Sequence, residues 1–302
     1  MPFRRGAALT TASTLGFADT SNIGSTAGDI GSTAGNGFIR QWPDDLAVLH
    51  EVGVTDVRLT LDWARLQPRP TGLDDDWADR YEQMLAAAEA IDLRMWATLH
   101  DGSIPRWFDN DGGFDDDETF TTWWPRWVEC IADRFGDSVA GWVPFAEIPR
   151  GAPTQPWRDT WSILEGTWPV IASVSSETTS IEEYVGRASY LGIALATPWE
   201  HDDAIGDRQL ETASTQWGQA VRDGADDFDG PVVITGFRPG HDDVDAAALI
   251  VEELIRSLDD AIADGVHVEV CFLEPAISAP DSPPGLLDPD RNLTPAAERF
   301  LS

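Results

Sequence analysis

The chain has 302 residues, 42% of them apolar, and a formal net charge of -33. This length and apolar content suit one large hydrophobic core, so we predict a single domain over residues 1–302. Its 20 Lys and Arg residues are all Arg, and Asp outnumbers Glu by 36 to 17. Such an acidic, halophilic-type surface repels nucleic acids and anionic membranes and is suited to strong salt, so we expect neither as a partner.

The two cysteines and the N-terminal segment indicate a cytoplasmic protein. Cys130 and Cys271 lie far apart in apolar stretches, and we interpret both as reduced core thiols. An apolar run follows Arg4-Arg5, but it is short, rich in Ser and Thr, and merges into a predicted first strand, unlike an export signal. No apolar run approaches the length that spans a membrane.

Strand and helix signals alternate along the chain from Trp42, where Pro43 and two acids predict the start of a helix that Gly53 ends. After a first strand near the N-terminus, the predicted strands are 54–61, 93–99, 139–145, 170–174, 190–196, 232–235 and 266–273. The further predicted helices are 76–91, 118–135, 161–168, 211–228 and 245–264. Residues 150–186 give the poorest signals. The pattern predicts an α/β fold, a (β/α)8 TIM barrel shortened around strand five, with an open doubly wound sheet as the alternative.

Glu147 is the first candidate catalytic residue, because it stands where the apolar strand Trp142-Val143-Pro144-Phe145 ends. Functional residues of such barrels lie at the carboxyl ends of strands. A carboxyl group at the end of a buried strand is a candidate general acid.

Several segments resemble glycoside hydrolase family 1, the β-glucosidase type of barrel. Residues 57–68 (VRLTLDWARLQP) resemble the second strand of the family, and the acid/base segment of the family falls on residues 142–148, with Glu147 as the acid/base. Similar matches occur at residues 105–108, 112–114, 190–193, 233–235 and 285–291. The resemblance implies a β-glycosidase-type enzyme that acts on a small carbohydrate or glycoside and needs no cofactor.

The departures from the family pattern are concentrated at the functional positions. Ala146 and Ile148 flank Glu147 where the family has Asn and Pro. Gly236 stands where the nucleophilic Glu is expected, and Glu274 replaces the Trp of strand eight. The scaffold is therefore kept while the sugar site is rebuilt.

The substrate-binding positions are also changed. An alignment without a gap places the sugar-binding His on Asp101, whereas His100 fits only if one residue is inserted, and Asn22 is the nearest amide to the Gln expected after strand one. Arg58 matches the Arg that supports the nucleophile in the family. Trp199 lies near a loop where a sugar ring could stack. These five residues are the predicted substrate contacts.

Glu274 is the predicted second carboxylate, because Cys271-Phe272-Leu273 runs directly into it and Pro275 then ends the strand. Facing Glu147 across the barrel mouth, it suits an inverting reaction, in which the carboxyl groups stand about 6.5–9.5 Å apart, better than a retaining one at about 5–5.5 Å. The alternative role is a buried ion pair with an arginine such as Arg58.

Two other functions remain open. Loss of the nucleophile favours a catalytically inactive carbohydrate-binding or regulatory barrel, with Trp107, Trp157 and Trp217 as further stacking candidates. By contrast, we assign the triplet Trp123, Trp124 and Trp127, at helical spacing, to core packing.

The second alternative is a metal-dependent hydrolase. His201-Asp202-Asp203 and His241-Asp242-Asp243 follow strands six and seven and could bind a divalent ion that activates water. In so Asp-rich a chain, such runs are more often solvated loops or helix starts. The sequence specifies neither the sugar, nor the linkage, nor the oligomeric state.

Overall fold

A computed structural model describes residues 3–15, 35–146, 155–164, 166–175, 188–199, 205–280 and 282–302. Its strands form one parallel sheet in the order β4-β3-β2-β1-β8-β7-β6-β5, and a parallel bridge from Trp142 to Val170 brings the outer strands together. The sheet is thus a nearly closed barrel, which confirms the predicted (β/α)8 fold. The strands are β1 Arg4–Leu9, β2 Asp56–Thr60, β3 Arg94–His100, β4 Gly141–Phe145, β5 Ile171–Ser175, β6 Tyr190–Leu195, β7 Val232–Phe237 and β8 Val268–Leu273.

The helices follow the predicted order, but three of them have markedly different boundaries. The helix predicted at 161–168 spans Gln155–Leu164, the one predicted from 211 begins at Asp207, and the first one begins earlier than predicted. The helices are α1 Thr11–Leu15, α2 Phe38–Glu51, α3 Trp63–Leu66, α4 Asp75–Glu89, α5 Arg106–Asn110, α6 Asp117–Phe135, α7 Gln155–Leu164, α8 Asp207–Asp227, α9 Val244–Ala263 and α10 Pro295–Leu301. The predicted start at Trp42 was wrong. Gly37 takes a left-handed conformation at the N-cap (φ 81°), and the helix begins at Phe38, which is buried, so Pro43 lies inside it.

Apolar side chains cover both faces of the strands. One cluster fills the barrel interior and consists of Ala8, Trp96, Val143, Ile171, Val233, Val270 and Phe272. A larger cluster lies between the strands and the helices, where Trp124 and Trp127 are fully buried and Trp63 stacks on Trp127 at 5.2 Å. This arrangement is typical of parallel barrels and confirms the core assignment of Trp124 and Trp127, whereas Trp123 is only half-buried.

A network of charged side chains fills the amino-terminal end of the barrel. The buried carboxylate of Asp56 accepts hydrogen bonds from Arg4 Nε at 2.9 Å and from Trp96 Nε1 at 2.8 Å. Arg4 also donates to Glu269 Oε1 at 2.5 Å. These contacts pair the buried Asp56 carboxylate, although Arg4 Nη2 and Arg5 Nη1 are buried without a hydrogen-bond partner among the described residues. In barrels of this kind the functional residues lie at the opposite, carboxyl-terminal end of the strands.

Both cysteines are free thiols. Cys271 is buried, and that burial raises its pKa to about 12 although Arg5 opposes the shift. Cys130, predicted to lie in the core, is only half-buried. Neither thiol has the low pKa of a reactive cysteine. Within the described ranges, no helix is long and apolar enough to cross a bilayer.

Candidate active site

A layer of buried polar side chains lies near the carboxyl ends of the strands, beyond the apolar interior cluster. It comprises Arg58 of β2, Thr98 of β3, Ser173 of β5, Thr235 of β7 and Glu274, which directly follows β8. Each of these residues is no more than 9% exposed. Buried polar groups need partners, and the hydrogen bonds among them define the site.

Glu274 is held between two arginines. Arg58 Nη2 donates to Glu274 Oε2 at 3.2 Å, and Arg58 Nη1 lies 3.4 Å from the Thr98 hydroxyl. Arg238, directly after β7, pairs with the other oxygen, Oε1. The Arg58 side chain is 3% exposed, whereas that of Arg238 is 55% exposed. One cation is therefore a fixed part of the barrel and the other lies at its surface.

The two arginines keep Glu274 ionised. Burial alone would raise the pKa of this carboxyl group, but the positive charges of Arg238 and Arg58 outweigh burial and hold the pKa below its ordinary value. Glu274 in turn raises the pKa of Arg238. The ion pair between Glu274 and Arg58, expected as the alternative role of Glu274, is thus present, together with a second cation that was not predicted.

The Glu274 carboxylate lies beside Gly236. The register of β7 against β8 shifts between Ile234 and Phe237, as in a β-bulge. A Cβ atom on Gly236 would lie 3.0 Å from Glu274 Oε2 and 3.6 Å from Arg58 Nη2. From bond lengths of about 1.5 Å, a glutamate at 236 would hold its carboxylate oxygens about 3–4 Å from its own Cβ. Glu274 therefore places a carboxylate at the distance that a glutamate on β7 would reach.

A second set of contacts links the ends of β4, β5 and β7. Ser173 Oγ donates to the carbonyl oxygen of Ala146 at 2.6 Å and lies 2.6 Å from Thr235 Oγ1. Gly192 of β6 permits this contact, because a Cβ there would lie 2.5 Å from Thr235 Cγ2 and 2.6 Å from Ile171 Cγ2. Ser173 thereby connects the residue before Glu147 to the residue before Gly236.

His100 and Asp101 stand at the end of β3. Asp101 Oδ2 accepts from the Thr11 backbone N–H and the Thr60 hydroxyl, each at 2.7 Å, and so ties α1 to β2. The imidazole of His100 contacts the rings of Phe114 and Phe145, and its burial lowers its pKa, which favours the neutral form. In the described part of the chain, His100 Nδ1 and Asp101 Oδ1 are buried without a hydrogen-bond partner. Each residue therefore keeps a polar atom available.

Comparisons with known proteins agree with this architecture. The profile of the family described as Glycosyl hydrolase family 1 matches residues 11–154. A β-glucosidase of Agrobacterium sp. is 27% identical over 122 residues, 40% of this chain and 25% of that enzyme. Beta-glucosidase 16 of Arabidopsis thaliana is 26% identical over 218 residues, 62% of this chain and 42% of that protein. Over residues 11–154 the chain is similar to glycosyl hydrolase family 1.

Solved structures support the family 1 fold over nearly the whole chain. The β-glycosidase BGL167 superimposes with a TM-score of 0.76 at 14% identity, covering 99% of this chain and 95% of that one. A β-glucosidase from Exiguobacterium marinum gives a TM-score of 0.76 at 11% identity, covering 99% and 98%. The alignments to the curated sequence relatives above span less than half of those proteins.

The tryptophans predicted to stack on a sugar ring differ in exposure. Trp199 is half-buried and packs edge-on against Trp217 at 6.2 Å. Trp217 itself is 3% exposed inside α8 and donates to the Ala196 carbonyl at 2.9 Å, so its prediction as a stacking surface was wrong. Trp107 is half-buried and donates to the Gln67 carbonyl. Trp199 stays a predicted contact, and the side chain of Trp157 lies outside the described set.

Other predicted site residues of this chain lie outside the described ranges, namely Glu147, Asn22 and the run 201–203. His241 is 8% exposed, and its Nδ1 accepts from the Asp243 backbone N–H at 3.0 Å. Asp243 caps α9 by accepting from the amides of Asp245 and Ala246, as the helix-start interpretation expects. Among the described residues, no group of three or more His, Cys, Asp or Glu is arranged to hold a metal ion.

Arg238 was missed because the predicted strand seven ended at Thr235. The strand continues to Phe237, so Arg238 is the first residue beyond its carboxyl end. A correct boundary would have pointed to it, since a strand-end arginine in a chain with so few cations is conspicuous.

Proposed function

We propose that the chain hydrolyses β-glycosides by a retaining mechanism, with Glu274 as the nucleophile and Glu147 as the acid/base. The observation that carries this proposal is the position of the Glu274 carboxylate, beside Gly236 and bonded to Arg58. The functional carboxylate has moved from β7 to the end of β8, while its arginine partner on β2 has stayed. The role of Glu147 rests on the resemblance of its strand.

The state of Glu274 supports direct attack. The inverting reaction expected from the sequence needs a general base that takes a proton from water, and a carboxylate with a lowered pKa is a poorer base. A nucleophile only has to be ionised and close to the anomeric carbon, as in retaining enzymes. The Glu274 carboxylate lies at the distance that a glutamate on β7 would reach, which supports its closeness to the anomeric carbon.

The reaction then has two balanced steps. In the first, a Glu274 oxygen bonds to the anomeric carbon while the bond from that carbon to the leaving oxygen breaks, and Glu147 gives its proton to that oxygen. In the second, Glu147 takes a proton from water, the water oxygen bonds to the anomeric carbon, and the ester bond to Glu274 breaks. Arg58 stabilises the departing carboxylate.

A second candidate function is binding without cleavage. It is favoured by Arg238, since both Glu274 oxygens carry a guanidinium partner in the free protein. A carboxylate that stays paired in this way cannot attack a sugar. The barrel would then bind a carbohydrate at its mouth and release it unchanged.

Release of nitrophenol from a panel of aryl β-glycosides in strong salt distinguishes the two functions. We expect turnover by the wild type, and a loss of about a hundredfold or more in Glu274→Gln and in Glu147→Gln. Glu298→Gln, at an exposed position of α10, is the matched control and should retain full activity. Full activity in Glu274→Gln would contradict hydrolysis through this residue, and no turnover by the folded wild type would favour binding alone.

A further inference from the structure

The ion-pair cluster of Arg58, Glu274 and Arg238 contains more cations than carboxylates. Arg58 and Arg238 both pair with Glu274, and the described residues include no second carboxylate within ion-pair distance of either arginine. Two positive charges against one negative charge leave a surplus of one. This surplus is unusual in a chain of net charge -33, where acidic residues are abundant.

The surplus charge belongs to Arg238. Arg58 is 3% exposed, and removing Glu274, its only carboxylate partner among the described residues, would leave a buried unpaired cation, which is costly. The Arg238 side chain is 55% exposed, so it can exchange one ion-pair partner for another at lower cost than Arg58. Its planar fork of N–H donors matches a carboxylate.

We propose that the site takes a glycoside whose sugar carries a carboxylate, a uronic acid, and that Arg238 binds this group. The sugar carboxylate replaces Glu274 as the partner of Arg238, and Glu274 Oε1 becomes available while Oε2 stays on Arg58. The exchange brings the charge of the Arg58, Glu274 and Arg238 cluster to zero, with the sugar carboxylate counted. A neutral sugar offers no such partner, so Arg238 stays on the nucleophile.

The turnover test of this inference rests on the proposed function of Glu274. The test compares kcat/KM for nitrophenyl β-D-glucuronide and nitrophenyl β-D-glucoside, with wild type, Arg238→Gln and Arg256→Gln. Arg256 is the matched control, because it is 58% exposed and pairs with Glu253 on the helix α9. We expect the wild type and Arg256→Gln to prefer the glucuronide by at least about tenfold, and Arg238→Gln to lose that preference.

A binding measurement separates failure of this inference from failure of hydrolysis. Calorimetric titration with D-glucuronate, D-glucose and sulfate needs no turnover. An affinity for glucuronate at least about tenfold above those for glucose and sulfate, lost in Arg238→Gln, would support the inference even for an inactive protein. Equal affinities for glucuronate and glucose, equal affinities for glucuronate and sulfate, or unchanged affinity in Arg238→Gln would overturn it.

Discussion

At the scale of single residues, Gly236 and Glu274 depend on each other. The carboxylate of Glu274 occupies space that a side chain on β7 would need, and Arg58 lies beside both positions. A glycine at 236 is therefore the condition for a glutamate at 274. This pairing explains why the two departures from the family pattern occur together in this chain.

Gly236→Ala should lower the free energy of unfolding by about 1–3 kcal/mol, because its Cβ would crowd a carboxylate that two arginines hold in place. Denaturant unfolding in strong salt measures the change. The penalty should largely vanish in a Glu274→Ala background, where the crowded atoms are gone. Equal penalties in both backgrounds would show that the two positions are independent.

The pH dependence of stability should change when Arg238 is removed. The pKa of Glu274 is lowered in the folded chain, so its contribution to stability is present above the unfolded pKa of about 4.3 and is lost as the pH falls through the folded pKa. Arg238→Gln removes one of the charges that lower this pKa. The midpoint of acid unfolding should therefore move to higher pH, and an unmoved midpoint, or the same shift in Arg256→Gln, would contradict this.

At the scale of elements, the strand ends are held together by contacts that skip a strand. Ser173 of β5 reaches Thr235 of β7 across Gly192 of β6, and also bonds the carbonyl of Ala146 after β4. Three strands therefore share one hydroxyl group at the level of the site. We interpret this link as the element that fixes the spacing between the β4 and β7 ends.

Gly192→Ala should break this link and destabilise the chain by about 1–3 kcal/mol, since the added carbon meets Thr235 at 2.5 Å and Ile171 at 2.6 Å. Gly206→Ala is the matched control, because the nearest atom to its Cβ would lie 3.6 Å away. Thermal unfolding of the two variants tests the expectation. Similar unfolding temperatures would show that β6 has room at this position.

Sequence periodicity was enough to predict the elements, but not every residue of the site. The alternation of strands with helices predicted the barrel, which the structure confirms. The strand-end position predicted Glu274 as a candidate, and the ion pair with Arg58, expected as its alternative role, is present. Arg238 was not predicted because the pairing of β7 with β8 shifts as in a β-bulge before the strand ends, and local sequence patterns do not predict bulges. The bonds of Asp101 to α1 and β2 join residues distant in sequence, which periodicity cannot detect.

At the scale of the whole molecule, the acidic surface and the arginine pair around Glu274 have opposite effects on an anionic ligand. A net charge of -33 repels such a ligand at a distance, whereas Arg238 attracts it at contact. Salt shortens the range of the repulsion to about 3 Å at 1 M and leaves hydrogen bonds at contact in place. Strong salt is therefore the condition in which this site is expected to work.

The thermal stability of the chain should rise with salt concentration. Repulsion among the 53 acidic residues acts over about 10 Å at 0.1 M salt and is largely screened above 1 M. We expect the unfolding temperature to rise by about 10 °C or more between these conditions in KCl. The same osmolality of sorbitol is the control, and an equal rise in sorbitol would contradict an electrostatic origin.

The most direct test of the account is covalent labelling with activated 2-deoxy-2-fluoro β-glycosides, one neutral and one a uronic acid, followed by peptide mass spectrometry. A retaining enzyme accumulates a glycosyl ester on its nucleophile. We expect a label on the peptide that contains Glu274 and no label in Glu274→Gln. A label on any other carboxylate, or turnover without a label and with inverted product, would contradict Glu274 as the nucleophile.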